Sequence, residues 1–176
     1  KIKYQILKKV IIYSSKNASL TLALSKYCKK LLVESGLTEN KIFVAYNGVD
    51  FYWSHKLHQD NILKGYNINK NYLLYVSHFY NYKNHLRLID VYKDLGSETH
   101  QKYKLVLVGK VYDKVLYKNI LFKIKKYKLE DFVLLIKGVD KKVLRILYQN
   151  TSLFIFASLI ENCPNILLEA MMSGCP

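Results

Sequence analysis

Two carboxylates near the end of the chain, Glu161 and Glu169 in LIENCPNILLEAMMSGCP, have seven residues between them and apolar side chains around them. Asn162 or Cys163 suits the N-cap of a following helix, Pro164 its first position, where a missing N–H costs nothing, and Gly174 its stop. On that helix Glu169 lies one turn beyond Asn165. Cβ atoms tilt toward a helix N-terminus, so its carboxylate leans back toward the side of the loop that bears Glu161. Two acceptors beside free backbone N–H groups suit a ligand with vicinal hydroxyls. The pair reads equally as an exposed Glu and a Glu of a capping region. A second stretch, SHFYNYKN, holds His78 and Lys83 just before Asn84, a residue type favoured at helix caps. A cation at a helix start, where free N–H groups and the macrodipole already attract anions, suits a phosphate. Lys83 reads also as one more solvated lysine.

The elements that must position these residues follow from the apolar pattern. Runs over 71–77, 103–109, 131–138 and 151–158 are continuous and of strand length. Between them lie helical segments at 84–96, with Leu86, Ile89, Val91 and Tyr92 near helical spacing and Gly96 as its stop, and at 113–129, with Val115, Leu116, Ile120, Leu121 and Ile124. Further helices are expected at 140–150 and 164–173, the last burying Ile166, Leu167, Ala170 and Met171. Strands that are apolar throughout, alternating with helices, predict an α/β domain with a parallel sheet covered on both faces. The expectation is a Rossmann-like, doubly wound domain over 71–176, incomplete at its C-terminal side. In such sheets ligands bind beyond the carboxyl ends of the strands, which selects the loops 77–84, 109–113, 137–140 and 158–163. Residues 1–46 read as helix, strand, helix, strand, the end of a preceding Rossmann-like domain. Residues 47–70 read as an irregular connector opened by a turn at NGVD, where Asn-Gly supplies positive φ cheaply. Both ends look unfinished, as in an internal piece of a longer protein.

The 176 residues hold 28 Lys and Arg against 13 Asp and Glu, a net charge of +15. Only Arg87 and Arg145 are arginines, whereas base and bidentate phosphate recognition favour Arg. The lysines are scattered over every helical segment, which favours compositional bias, then a basic face toward an anionic membrane or substrate, and nucleic acid least. Cys28, Cys163 and Cys175 lack the spacing of a disulfide framework or a zinc site and point to a reducing, cytoplasmic setting. The longest apolar run, TSLFIFASLI, has strand length and falls short of a membrane span.

On these residues a family resemblance rests. ENCPNILLEAMMSGCP resembles the E-x7-E segment of the retaining GT-B glycosyltransferases of family four. YVSHFYNYKNHLRLIDVY resembles the segment whose basic residues grip the diphosphate of a nucleotide-sugar, and KIFVAYNGVD is similar to the run joining the two domains. The three occur in the family's order over essentially the whole chain. The resemblance implies that Glu169 bonds the ribose hydroxyls and that Lys83 holds the diphosphate. It implies that Glu161 contacts the donor sugar, with backbone N–H groups around Cys163, Pro164 and Asn165, and that Gly138 and Val139 lie at the nucleobase. Glu161 and Lys83 would be the catalytic pair. His78 stands where the family often has Arg, and Ser77 where it has Gly; a neutral His there would donate a single hydrogen bond. The activity implied is sugar transfer from a nucleoside-diphosphate sugar with retention, with no permanently bound cofactor and no obligatory metal. The acceptor would be a saccharide or a lipid-linked one, in cell-envelope polysaccharide or glycolipid synthesis at the cytoplasmic membrane face. This chain alone would be inactive, since the facing half of the cleft is missing. Two other readings remain: a basic module that docks on membranes or nucleic acid, and a GT-B enzyme of non-transfer type such as an epimerase.

Overall fold

The computed structural model describes residues 2–57, 60–68 and 71–176. The chain forms two compact units: one from the residues up to Gly48 together with Glu161–Asn165, the other from Val49–Ile160 and Ile166–Pro176.

The first unit runs α1 (Ile2–Asn17), β1 (Thr21–Ala23), α2 (Lys26–Glu34) and β2 (Ile42–Val44), the order expected. Its strands pair in parallel with Thr21 opposite Ile42. Ser25 caps α2 by accepting from the Cys28 N–H at 3.1 Å. The helix ends at Gly36, whose φ of +88° lets its N–H reach the Val33 carbonyl while Leu37 reaches back to Leu32. The core is small: Ala23, Leu37 and Ile42, with Ile12, Leu32 and Val33 packed on it. Leu7, Ile11, Leu22 and Leu31 line an open groove of about 740 Å³ instead.

The second unit is built on four parallel strands, β3 (Asn71–Val76), β4 (Tyr103–Val108), β5 (Val133–Ile136) and β6 (Leu153–Phe154). Their spatial order is β5-β4-β3-β6, so the chain winds outward from β3 in one direction and then returns to its other side. Before the sheet comes α3 (Asp60–Gly65); between and after the strands come α4 (His85–Asp94), α5 (Gly96–Lys102), α6 (Lys114–Lys126), α7 (Lys141–Asn150) and α8 (Asn165–Met172). Alternate strand residues face opposite ways, and both sets are apolar. Tyr75, Leu105 and Leu107 pack on Leu88, Ile89 and Tyr92 of α4 and on Leu116, Ile120 and Ile124 of α6. Tyr72, Leu74, Val106 and Val108 pack on Trp53, Leu147, Tyr148 and Ala170. Helices this short are marginal alone in water; burial against the sheet, at roughly 1.5–3 kcal/mol per large apolar side chain, holds them.

Several expectations are corrected. The strand foreseen over 151–158 shrinks to Leu153–Phe154, because it lies at the sheet's edge and pairs only with β3. Asn47 and Gly48 do not adopt positive φ. The connector is not irregular throughout: Phe51–Ser54 is a 3₁₀ turn capped by Asp50, and α3 follows. Residues 58–59 and 69–70 of the connector lie outside the described residues. Trp53 is core, and Arg145 of α7 donates to the Tyr52 carbonyl at 2.6 Å with its guanidinium 4.0 Å over the Tyr52 ring. Gly96 does stop α4, at φ +82°, but α5 follows at once. Val91, Val115, Leu121 and Met171, expected inside, are exposed. Among the described residues, no helix is long and apolar enough to cross a membrane.

Candidate functional site

The order of the strands puts a topological switch at β3, the place where doubly wound sheets open a crevice beyond their carboxyl ends. The loop leaving β3 is tied to its neighbour by main-chain bonds. Ser77 N–H donates to the Val108 carbonyl at 2.9 Å, Phe79 N–H to the Lys110 carbonyl at 3.0 Å, and Asp113 N–H to the Phe79 carbonyl at 3.3 Å. A Cβ at Gly109 would stand 2.0 Å from the Ser77 carbonyl oxygen, so this approach requires glycine. The Tyr75 hydroxyl donates to the Lys83 carbonyl at 2.8 Å, fastening the far end of the loop. Asn84 occupies the N-cap position of α4 as expected, but its side chain makes no cap bond; its φ of +62° turns the chain into the helix.

Within this frame His78 is exposed, and its Nδ1 accepts from the Lys110 N–H at 3.2 Å. That bond leaves the imidazole proton on Nε2. Partial burial, then the nearby ammonium groups of Lys110 and Lys83, lower the pKa of His78, which keeps it a neutral single donor. Lys83 is half-buried, with Nζ 5.1 Å from the centre of the Tyr82 ring. Tyr80 stacks between Tyr82 and Tyr112 at 5.7 and 5.2 Å, and Tyr112 meets His78 edge-on at 5.1 Å. Lys110 was not foreseen. Its signal in the sequence was only its place just after a glycine, in a loop that the strand-end rule selected. Beneath them His85 is buried, its Nε2 3.1 Å from Ser77 Oγ and its ring against Phe79 and Tyr75. Burial lowers its pKa to about 4.

The loop after β5 comes to the same edge. Gly138 has a φ of +102°, and the side chain nearest to where its Cβ would be is Lys110, with Cγ 3.7 Å away. Val139 packs on the core, and Asp140 caps α7 through the Val143 N–H at 2.8 Å. Glu169 of α8 is half-buried, and the Tyr148 hydroxyl stands 3.4 Å from its Oε2. Burial raises the Glu169 pKa, while the Tyr148 bond and the Lys141 charge pull it back. Its carboxylate therefore senses Lys141, the first residue of α7 after the Gly138 loop.

The stretch Glu161–Asn165 belongs to the first unit, so Glu161 and Glu169 fall in different units. Glu161 is half-buried. Asn47 Nδ2 donates to the Cys163 carbonyl at 2.9 Å and to Asn165 Oδ1 at 2.8 Å, a role the sequence did not signal because the partners lie more than a hundred residues away. Helix α8 begins at Asn165, which moves Pro164 from the expected first helical position to the position before it. Its stop is as expected: Gly174, at φ +76°, bonds to the Met171 carbonyl, and Cys175 N–H bonds to that of Ala170. Among the described residues no three His, Cys, Asp or Glu side chains group so as to hold a metal ion.

The fold and this edge define a class, the doubly wound α/β proteins that take ligands at the switch point. Residues 59–176 match the model of the glycosyl transferases group 1. The chain belongs to that family. Among solved structures it is similar to Anabaena Alr3699/HepE in complex with UDP and glucose, with 21% identity and a TM-score of 0.84, covering 98% of this chain and 47% of that one. It is also similar to sucrose-phosphate synthase from Thermosynechococcus elongatus, with 18% identity, a TM-score of 0.80, and 98% and 43% of the two chains covered. A glycosyltransferase from Rickettsia africae matches at 19% identity and a TM-score of 0.79, over 94% of this chain and 46% of that one. No protein of curated function matches the sequence. The chain spans about half the length of these structures, and its α/β architecture is that of the C-terminal domain of the GT-B fold, covered in part.

Proposed function

We propose that the chain carries the donor-binding part of a retaining glycosyltransferase that uses a nucleoside-diphosphate sugar. The observation that supports this most is the convergence of Lys83, Lys110 and the Nε2–H of a neutral His78 at the carboxyl edge of β3 and β4. Two ammonium groups and one neutral donor suit a diphosphate, and they stabilise the negative charge that develops on it as the sugar leaves. Main-chain bonds fix the loops that bear them, and the Lys110 N–H orients the His78 ring. Gly138 and Val139 would present backbone to the nucleobase, and Glu169 would accept from the ribose hydroxyls. Glu161 and the backbone at Cys163, Pro164 and Asn165 are assigned to the donor sugar on the family resemblance. Relatives solved with UDP and glucose, or with UDP-glucose, support a donor of this class. In the same reading, residues 1–46 end an acceptor-side domain, 47–70 connect, and 71–176 bind the donor. The acceptor is a saccharide or a lipid-linked one, met at the cytoplasmic face of an anionic membrane in cell-envelope synthesis.

A thermal-shift panel of UDP, GDP, ADP and their sugar conjugates on the full-length protein tests the donor, since a bound ligand raises the melting temperature. Lys83→Ala should weaken the best diphosphate roughly 100-fold, and Lys110→Met and Glu169→Ala roughly tenfold each. Unchanged calorimetric affinity in any of these would remove that residue from the site. The anomeric configuration of the product, read by NMR, tests retention; an epimerised donor without transfer would point to the non-transfer alternative.

A further inference from the structure

Helix α6 buries Leu116, Ile120 and Ile124 against the sheet, and its opposite face is of another kind. Val115 is 69% exposed, Leu121 46% and Phe122 69%. Among them stand Lys114, Lys118, Lys125 and Lys126, all exposed, and the helix contains no acidic residue. Phe122 is two residues from both Ile120 and Ile124, roughly 200° of helical turn, which sets it in the middle of the outward face. Lys123 does not belong to this face: its Nζ is 2.7 Å from Asp90 on α4.

The mixture limits what can cover it. A neutral protein surface would strip water from four ammonium groups without offering them partners. A nucleic acid would use the lysines and leave Phe122 and Val115 without a role, and lysines without arginines suit it poorly. An anionic bilayer satisfies both kinds of side chain. Apolar groups enter the boundary of headgroups and acyl chains, while lysines extend along the interface to the phosphates.

We propose that the outer face of α6 docks on an anionic lipid bilayer, with Phe122 inserted and Lys118, Lys125 and Lys126 on the headgroups. The inference gives a surface to the membrane contact in the preceding reading and rests on that reading only for its purpose. The binding itself needs no donor, so the two fail separately: the nucleotide panel decides one and vesicles the other.

The test is co-sedimentation of the full-length protein with phosphatidylcholine vesicles, with and without about 30% phosphatidylglycerol, at low and physiological salt. Binding should require the anionic lipid and weaken with salt. The triple variant Lys118→Gln, Lys125→Gln, Lys126→Gln should lose roughly 100-fold, about fivefold per lysine. Phe122→Ser should lose roughly tenfold. The control Lys8→Gln, Lys9→Gln, Lys16→Gln removes the same charge from α1 and should lose less than about fivefold in all. An unchanged melting temperature by circular dichroism confirms the fold of each variant. Equal loss in the control, no loss with Phe122→Ser, equal binding to pure phosphatidylcholine, or tighter binding to a short DNA duplex that ignores Phe122 would each overturn the assignment.

Discussion

The loop leaving β3 and the segment from Glu161 to Glu169 each carry half of the residues proposed to bind the donor, and they are held in different ways. Main-chain bonds from Ser77, Phe79 and Asp113 fasten the first to the β4 side of the sheet. Those bonds depend on the identity of one residue above all, Gly109, which lets the two loops touch. The second segment hangs on individual side chains, Asn47 in the first unit and Tyr148 in the other. One half is set by the fold itself, and the other is a half that single substitutions can loosen.

Breaking the first half should therefore cost the whole domain. Gly109→Ala is expected to destabilise by about 3 kcal/mol or more, read from urea unfolding, since its methyl meets a carbonyl rather than a movable side chain. A loss under about 1 kcal/mol would show that the loop can stand aside. The same half should be acid-sensitive. His85 has a folded-state pKa of about 4 against an ordinary value of 6.5, so the unfolded chain binds its proton more readily. Its contribution is intact above pH 6.5 and drains away as pH falls toward 4, by on the order of 3 kcal/mol. His85→Phe should flatten that part of the stability profile; an unaltered profile would assign the acid sensitivity elsewhere.

Loosening the second half should be milder. Asn47→Ala removes both bonds to Cys163 and Asn165 and should cost about 1–2 kcal/mol, measured by denaturation. Tyr148→Phe should cost under about 1 kcal/mol, because its bond to Glu169 is long at 3.4 Å. Its clearer effect is on titration. The Tyr148 bond lowers the Glu169 pKa against the rise caused by burial, so removing it should move the carboxyl further up by NMR. Equal cost for Gly109→Ala and Tyr148→Phe would erase the distinction between the two halves.

Much of the architecture was legible because it is written in short range. Unbroken apolar runs along β3 and β4 mark strands buried on both faces, and Gly96 and Gly174 mark helix ends where only φ above zero continues the chain. The strand-end rule singled out the loops that hold His78, Lys83 and Gly138, while Gly138 itself was named on the family resemblance. Other features were not legible. Helix α6 has six aliphatic or phenylalanine positions spread over more than one stripe, and only packing selects Leu116, Ile120 and Ile124 as the inner ones. Trp53 read as part of an irregular aromatic stretch until α7 supplied its partner Tyr148.

The sequence by itself determined the main strands and helices, the stops at Gly96 and Gly174, the parallel α/β class and the loops that bear charge, since each depends on residues within a turn or two of one another. Only the tertiary structure decided the strand order β5-β4-β3-β6, and everything that depends on it. That includes the proton on His78 Nε2, held by an N–H 32 residues away, the place of Lys110 beside Gly138, and the grip of Asn47 on Cys163. These are pairings between distant residues, and their geometry exists only once burial of the sheet's two faces has set which strands lie side by side.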